Sequence, residues 1–190
     1  EARAEDPIIP LSLFRNKLFI ITAAIGFTLG IAMFAALGFM PTFLQMASGT
    51  SAAESGLLMI PMMAGLMLTS IVSGIWVSKS GKYKVYPIIG IIIAIAALFA
   101  MTTLSAQTPI WLICAYLALF GAGLGFVMQI IVRVAQNSVA ADTVGTATST
   151  NNYFREVGAS LGTAVFGAYF TARLAERLND VFTNSGLDAS

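Results

Sequence analysis

The chain has 190 residues, of which 57% are hydrophobic and only 10% charged, with a formal net charge of +1 and a mean hydropathy of +0.84. Soluble domains carry about a quarter charged residues, so this sequence lacks the side chains to build a water-facing surface and reads as a membrane protein. The near-neutral balance excludes a nucleic-acid partner, which needs a basic patch to track phosphates. The absence of His removes imidazole ligands and bases, and the lone Cys114, inside an apolar run, excludes an intrachain disulfide and reads as a buried, inert thiol.

The opening stretch, EARAEDPIIP, begins with Glu and carries neither the n-region nor the h-region of a signal peptide. It predicts a piece of a longer chain, with residues 1–17 as a cytoplasmic linker. A hydrocarbon core of about 30 Å takes roughly 20 apolar residues in helix. Five stretches reach that length: 18–45, 56–77, 85–104, 110–132 and 144–174, the last interrupted by Arg155 and Glu156. Continuous apolar runs of this kind predict helices rather than barrel strands. The expected fold class is therefore all-α, a polytopic membrane helical bundle of five transmembrane helices over 18–176, followed by an extracytoplasmic tail at 177–190.

The ends of these stretches carry local signals. Ser51 and Glu54 have capping-box spacing ahead of the second helix; the alternative for Glu54 is a proton carrier at the outer mouth. Asp142 or Thr143 is placed to cap the fifth helix. Pro109 suits the first turn of the fourth helix and Pro87 that of the third, whereas Pro41 and Pro61 fall deeper and predict kinks that bundle neighbours can accommodate.

Alternating the connections sends eight of the ten Lys and Arg residues to one side: Arg3, Arg15, Lys17, Lys79, Lys82, Lys84, Arg133 and Arg155. The other side receives Arg173 and Arg177, with Glu54, Glu176, Asp180 and Asp188. The positive-inside rule assigns the first side, with the N-terminal end, to the cytoplasm.

The lysine-rich turn has a pattern of its own: Gly74, Lys79, Gly81 and Lys82, with Ser78 before Lys79. It resembles the loop signature of the major facilitator superfamily, with Ser78 where the signature has an acidic residue of a cytoplasmic gate network. The segments PIIPLSLFRNKLF (7–19), GLLMIPMMAG (56–65), GLGFVMQIIV (123–132) and GTATSTNNYFREVGASLGTAVFGA (145–168) look like the second half of the fourteen-helix drug:proton antiporters. That resemblance covers nearly the whole chain. It implies a partial major-facilitator C-terminal half: the seventh to eleventh helices of the twelve-helix core, with the N-terminal half of the transporter and a final helix as partners, and the usual proton-carrying acids in that other half.

Arg155 and Glu156 are candidates for gating or coupling, because ionisable residues at membrane depth are costly. At 1.5 Å per residue they lie roughly 16 Å beyond Val144 and roughly 27 Å before Arg173, which also suits an interfacial anchor or a structural ion pair. Neighbours at i and i+1 do not face each other on a helix, so each is expected to need a different partner. Glycines spaced four apart at Gly26/Gly30, Gly121/Gly125 and Gly158/Gly162 predict helix–helix seams, static or sliding. Phe34, Met63, Met67, Met128, Gln129, Asn151 and Asn152 are the candidates for a substrate cavity, Met and Phe being equally at home facing lipid. Gln129 stands out, because a mid-helix amide in lipid is expensive without partners.

The sequence lacks a phosphate-cradling nucleotide loop, a nucleophile–base pair and a metal-binding cluster, so neither an enzyme nor a resident cofactor is expected and energy would come from a proton gradient. The expected function is the C-terminal part of a proton-coupled multidrug efflux transporter of the plasma membrane, working by alternating access on small lipophilic or cationic substrates. The alternatives are a facilitator of another small solute and a truncated, non-transporting membrane scaffold.

Overall fold

In a computed structural model of the chain, residues 11–81, 83–105 and 107–185 are described. Arg3, Lys82 and Asp188 lie outside them, as do 1–10 of the expected linker and 186–190 of the expected tail. A 3-10 turn, Leu11–Arg15, precedes six α-helices: α1 (Lys17–Ser48), α2 (Ala52–Leu57), α3 (Ile60–Ser80), α4 (Val85–Met101), α5 (Ile110–Asn137) and α6 (Val144–Ser185). All described secondary structure is helical, as composition and the length of the apolar runs require.

Local chemistry sets the boundaries. Asn16 caps α1, its side-chain oxygen accepting from the Leu18 N–H at 2.9 Å. Ser51 and Glu54 form the full capping box of α2, with Glu54 N–H donating to Ser51 Oγ and Ser51 N–H donating to Glu54 Oε2. The expected second crossing is broken at Leu58 and Met59. Pro61 has no N–H to give to the preceding turn, and the chain restarts with Pro61 in the first turn of α3. Pro41, by contrast, is carried inside α1 without ending it. Pro109 stands just before α5 in extended backbone rather than within its first turn. Thr143 occupies the residue before α6, where its carbonyl accepts from the Ala147 N–H while its hydroxyl turns back to the Ala140 carbonyl.

Among the described residues, three segments are long and apolar enough to cross a bilayer: Lys17–Met46, Ala52–Lys79 and Ile110–Asn137. The 17-residue α4 stops at Met101, short of the expected 104, because the hydroxyls of Thr102 and Thr103 donate to the Phe99 and Ala100 carbonyls and close its end. The α6 helix runs on past the expected 174. Its 42 residues amount to about 63 Å at 1.5 Å each, twice a hydrocarbon core of about 30 Å, and it is not among the three spans. Toward its C-terminal end Arg173 and Glu176 pair at 2.9 Å across one turn, which supports helix where apolar side chains run out.

The α5 helix is the hub, packed against α3 on one side and α4 on the other, while α1 pairs with α6. Leu44, Met62, Ile113, Leu117, Phe120 and Leu124 form the heart of the core. Outside it, large apolar side chains stay uncovered, among them Leu68, Phe99, Trp111 and Val165 at 64–70% exposure. Such a surface is untenable in water and ordinary against acyl chains. One end of the bundle gathers Arg15, Lys17, Lys79, Lys84, Arg133 and Asp142; the opposite end holds Glu54, Arg173, Glu176 and Arg177.

Candidate functional site

Two seams organise the bundle. In the first, α1 and α6 approach so closely that a methyl at Gly30 would overlap the Arg155 carbonyl oxygen, and one at Gly162 would stand 2.8 Å from the Ile31 Cα. In the second, a methyl at Gly121 would overlap the Met62 carbonyl, and Gly125 meets Leu66 and Thr69. The hydroxyls of Thr69 and Ser70 stitch this second seam, donating to the Ala122 and Gly125 carbonyls at 2.9 and 3.2 Å. All three glycine pairs expected to mark seams therefore lie on them. Lipid offers no hydrophobic drive between helices, so close backbone approach and interhelical hydrogen bonds supply the association.

The seams are related. Along each, contacts advance in the same direction on both helices: Gly26 with Asn151, then Gly30 with Arg155; Gly121 with Met62, then Gly125 with Leu66. Both pairs are thus parallel. The α1 helix is joined to α2 through the short turn at Gly49 to Ser51, and Gln45 Nε2 donates to Ser55 Oγ across it, so α1 and α3 run in opposite directions. The two parallel pairs are consequently inverted with respect to each other. Their glycine-bearing helices also read alike: Gly26, Leu29, Gly30 and Met33 in α1 match Gly121, Leu124, Gly125 and Met128 in α5 at identical spacing. Phe34 and Gln129, the next residues, hold equivalent positions.

Each seam opens into a groove at that position. The α3–α5 groove, about 440 Å³, is lined by Ser70, Gly74, Ser78, Lys79, Gln129 and Arg133, with Ile71 and Ile75. The α1–α6 groove, about 470 Å³, holds Phe34, Glu156, Ser160 and Thr163. Between α1, α5 and α6 lies a third, minute space of about 10 Å³ bordered by Gly26, Met128, Asn151 and Arg155. The buried Asn151 Nδ2 and Arg155 Nε next to it have no acceptor among the described residues.

The candidate residues are therefore divided among three places. Phe34 comes together with Glu156, Met128 with Asn151 and Arg155, and Gln129 with Gly74 and Lys79. Met63 and Met67 lie exposed on one face of α3, and Asn152 is half-buried on α6; none of the three lines these spaces. The expectation of separate partners for Arg155 and Glu156 is overturned, since Arg155 Nη2 and Glu156 Oε1 pair at 3.2 Å. Their Cα atoms point apart, but both side chains are long enough to curl along the helix surface and meet.

The loop signature has a structural basis. Gly81 ends α3 in the left-handed region at φ 66°, its N–H donating to the Val77 carbonyl at 2.9 Å, a conformation that favours glycine. Lys79 lies in the last turn of α3, where a cation meets the negative end of the helix dipole. Ser78, in the acidic position, accepts a 2.9 Å bond from Arg133 Nη1 and donates to the Gly74 carbonyl. Gly74 lies beside this link, and a methyl there would make only an ordinary contact with Arg133 Nη2, at 3.5 Å. Sequence reasoning placed Arg133 merely at a helix end and missed this link, as well as the equivalence of Phe34 and Gln129. The repeated glycine–leucine–glycine–methionine spacing was the signal for the latter.

The sequence profile of the Major Facilitator Superfamily matches residues 1–163. The chain is 38% identical over 187 residues to an uncharacterised MFS-type transporter of Mycobacterium tuberculosis, covering 98% of this chain and 27% of that protein. It is 37% identical over 180 residues to the multidrug transporter protein MdtP of Bacillus subtilis, covering 95% and 33%. Against a tetracycline resistance determinant of Streptomyces rimosus it is 34% identical over 179 residues, covering 94% and 52%. The chain thus spans between about a quarter and a half of the length of these relatives. With its apolar helical bundle and a profile match over most of its length, it belongs to the major facilitator superfamily, a family of membrane transporters.

Proposed function

We propose that this chain forms the C-terminal part of a proton-coupled multidrug exporter of the plasma membrane, working by alternating access between two helical bundles. The observation that carries the reading is the inverted pair of glycine seams, α1–α6 and α3–α5, each opening at an equivalent residue, Phe34 or Gln129. Transporters built of inverted repeats place substrate near the bilayer midplane between repeats and move one bundle against the other. The printed descriptions of the Bacillus and Streptomyces relatives, multidrug transport and tetracycline resistance, support drugs as the substrate class.

In this reading Phe34, Met63, Met67, Met128, Gln129, Asn151 and Asn152 contribute to the substrate pathway, with apolar, polarizable walls and a few amides for small lipophilic or cationic compounds. Arg155 and Glu156 serve gating or coupling. The N-terminal half of the transporter and a final helix are the partners that complete the pathway, and the cationic end faces the cytoplasm. The test is drug efflux from a sensitive host expressing the complete natural polypeptide, with the proton gradient intact and then collapsed. Export that stops on collapse is expected; export that continues unchanged refutes proton coupling, and the absence of any export refutes the drug reading.

A further inference from the structure

The inverted arrangement pairs the helices of the bundle by exchange. The first helix of one unit, α1, packs against the second helix of the other, α6, and in return α5 packs against α3. The third helix of the first unit, α4, also packs against α5. The two run in opposite directions, since Gly90 meets Gly123 and Val127 while Ala94 meets Gly123. They approach so closely that a methyl at Gly123 would stand 2.6 Å from Ala94 N and 2.7 Å from the Gly90 carbonyl oxygen. Exchange then asks for a helix on α1, seated on the face that corresponds to the one α4 covers on α5.

That face is open. The matched spacing of Gly26 with Gly121 and Gly30 with Gly125 puts Thr28 at the position of Gly123 and Ala32 at that of Val127. Thr28 and Ala32 both line an apolar groove of about 430 Å³ that lies between α1 and α4, with Phe120 and Leu124 of α5 behind it. Ala24 and Thr28 are exposed there, and Ile91, Ile95 and Leu98 of α4 form the opposite wall at 38–49% exposure. The groove is continuous with the α4–α5 seam, because Ala94 and Val127 belong to both. None of the candidates for the substrate pathway lines it.

We infer that this groove seats a further membrane helix of the complete natural polypeptide, antiparallel to α1 as α4 is to α5, with a small residue opposite Thr28. Ala24, Thr28 and Ala32 recur every four residues along about 12 Å of α1, a stripe that lets two backbones approach and that an acyl chain does not need. Thr28 Oγ1 donates to the Ala24 carbonyl at 3.0 Å. Thr69 Oγ1, bonded in the same way to the Gly65 carbonyl, also reaches the Ala122 carbonyl across its seam, and Thr28 is placed to do likewise. The incoming helix is expected to present glycine or alanine at successive turns, as α4 does with its buried Gly90, Ala94 and Ala97. The inference deepens the proposed function by locating the final helix named there as a partner. This chain spans between about a quarter and a half of its relatives' length, so proteins of this kind have the polypeptide to supply it.

The experiment is photo-cross-linking of the complete natural polypeptide in its membrane, with a diazirine amino acid placed by amber suppression at Ala24, Thr28 or Ala32 in turn and the adducts mapped by peptide mass spectrometry. All three are expected to mark one apolar segment outside the 190 residues, and the adduct should move toward the N-terminal end of that segment as the probe moves from Ala24 to Ala32. Adducts that move the other way overturn the inference, as do a product of twice the mass, which would make the occupant a second copy, and label on lipid alone. A second measurement does not need the probe to fit. Thr28→Leu adds bulk where the inferred helix packs and should lower Tm in detergent by about 2–4 °C or more, whereas an apolar side chain facing lipid would leave it unchanged. An unchanged or raised Tm also overturns the inference. Neither readout depends on export, so a polypeptide that exports no drug still tests where the helix sits.

Discussion

Replacing Gly30 by Ala adds one carbon at the tightest point of the α1–α6 seam. That carbon would overlap the Arg155 carbonyl oxygen and stand 3.0 Å from Ala159 N, where unstrained contacts begin at about 3.5 Å. Both obstacles are backbone atoms of a helix and cannot rotate aside, so α6 must retreat by on the order of 1 Å. A gap of that size forfeits roughly a quarter to a half of each dispersion contact along the seam, including those of Gly158 with Phe27 and Gly162 with Ile31. Overpacking of this kind costs up to about 3 kcal/mol, and the better helix propensity of Ala returns about 1, leaving a net loss of about 2 kcal/mol. Gly38, on the same helix, has nothing within 4 Å of an added methyl, so Gly38→Ala should gain up to about 1 kcal/mol from propensity alone. Thermal unfolding in detergent, followed by the intrinsic fluorescence of Trp76 and Trp111, reads both. Gly30→Ala should lower Tm by about 4–8 °C on the scale of a domain of this size, and Gly38→Ala should leave it unchanged or raised. Equal effects of the two substitutions would refute the close approach of α1 and α6.

Three further outcomes follow from the loop and the ion pair. Gly81→Ala forces a side chain into the left-handed region and should cost about 1–2 kcal/mol, seen as a lower Tm, with Gly81→Asn milder. Ser78→Asp replaces a neutral acceptor with a carboxylate facing Arg133 and should stabilise by about 1 kcal/mol through the charge-assisted bond; a double-mutant cycle with Arg133→Gln should abolish that gain. Glu156→Gln removes one member of a half-exposed ion pair and should alter stability by no more than about 0.5 kcal/mol. If Glu156 couples, however, the same variant should lower gradient-driven efflux at least about tenfold, the scale of a 1.4 kcal/mol change in the coupling step. Unaltered efflux would remove Glu156 from the mechanism.

What the sequence could reveal here was what neighbours in sequence decide. The Ser51–Glu54 box is complete within four residues, and Gly81 must adopt its left-handed turn wherever the rest of the bundle lies. The glycine spacings also read correctly, because a four-residue stripe is a property of one helix. The bond from Arg133 to Ser78 spans 55 residues, which no local pattern expresses. The break at Leu58 and Met59 escaped because apolarity continues through it while a single missing N–H at Pro61 interrupts the ladder. Arg155 and Glu156 escaped for the opposite reason: backbone direction sets them apart, and side-chain length brings them together. The inverted repeat was present in the letters from the start, yet it gained meaning only when the contacts showed two parallel pairs.

The most direct test of the membrane arrangement is sidedness labelling of single cysteines, placed at Lys84 and at Gln107 in a Cys114→Ala background, with a maleimide that cannot cross membranes. In intact cells Gln107→Cys is expected to react and Lys84→Cys to react only after permeabilisation, which requires that α4 crosses the bilayer and that the cationic end lies inside. Labelling of Lys84→Cys from outside would invert the orientation, and labelling of both from the same side would show that α4 does not cross.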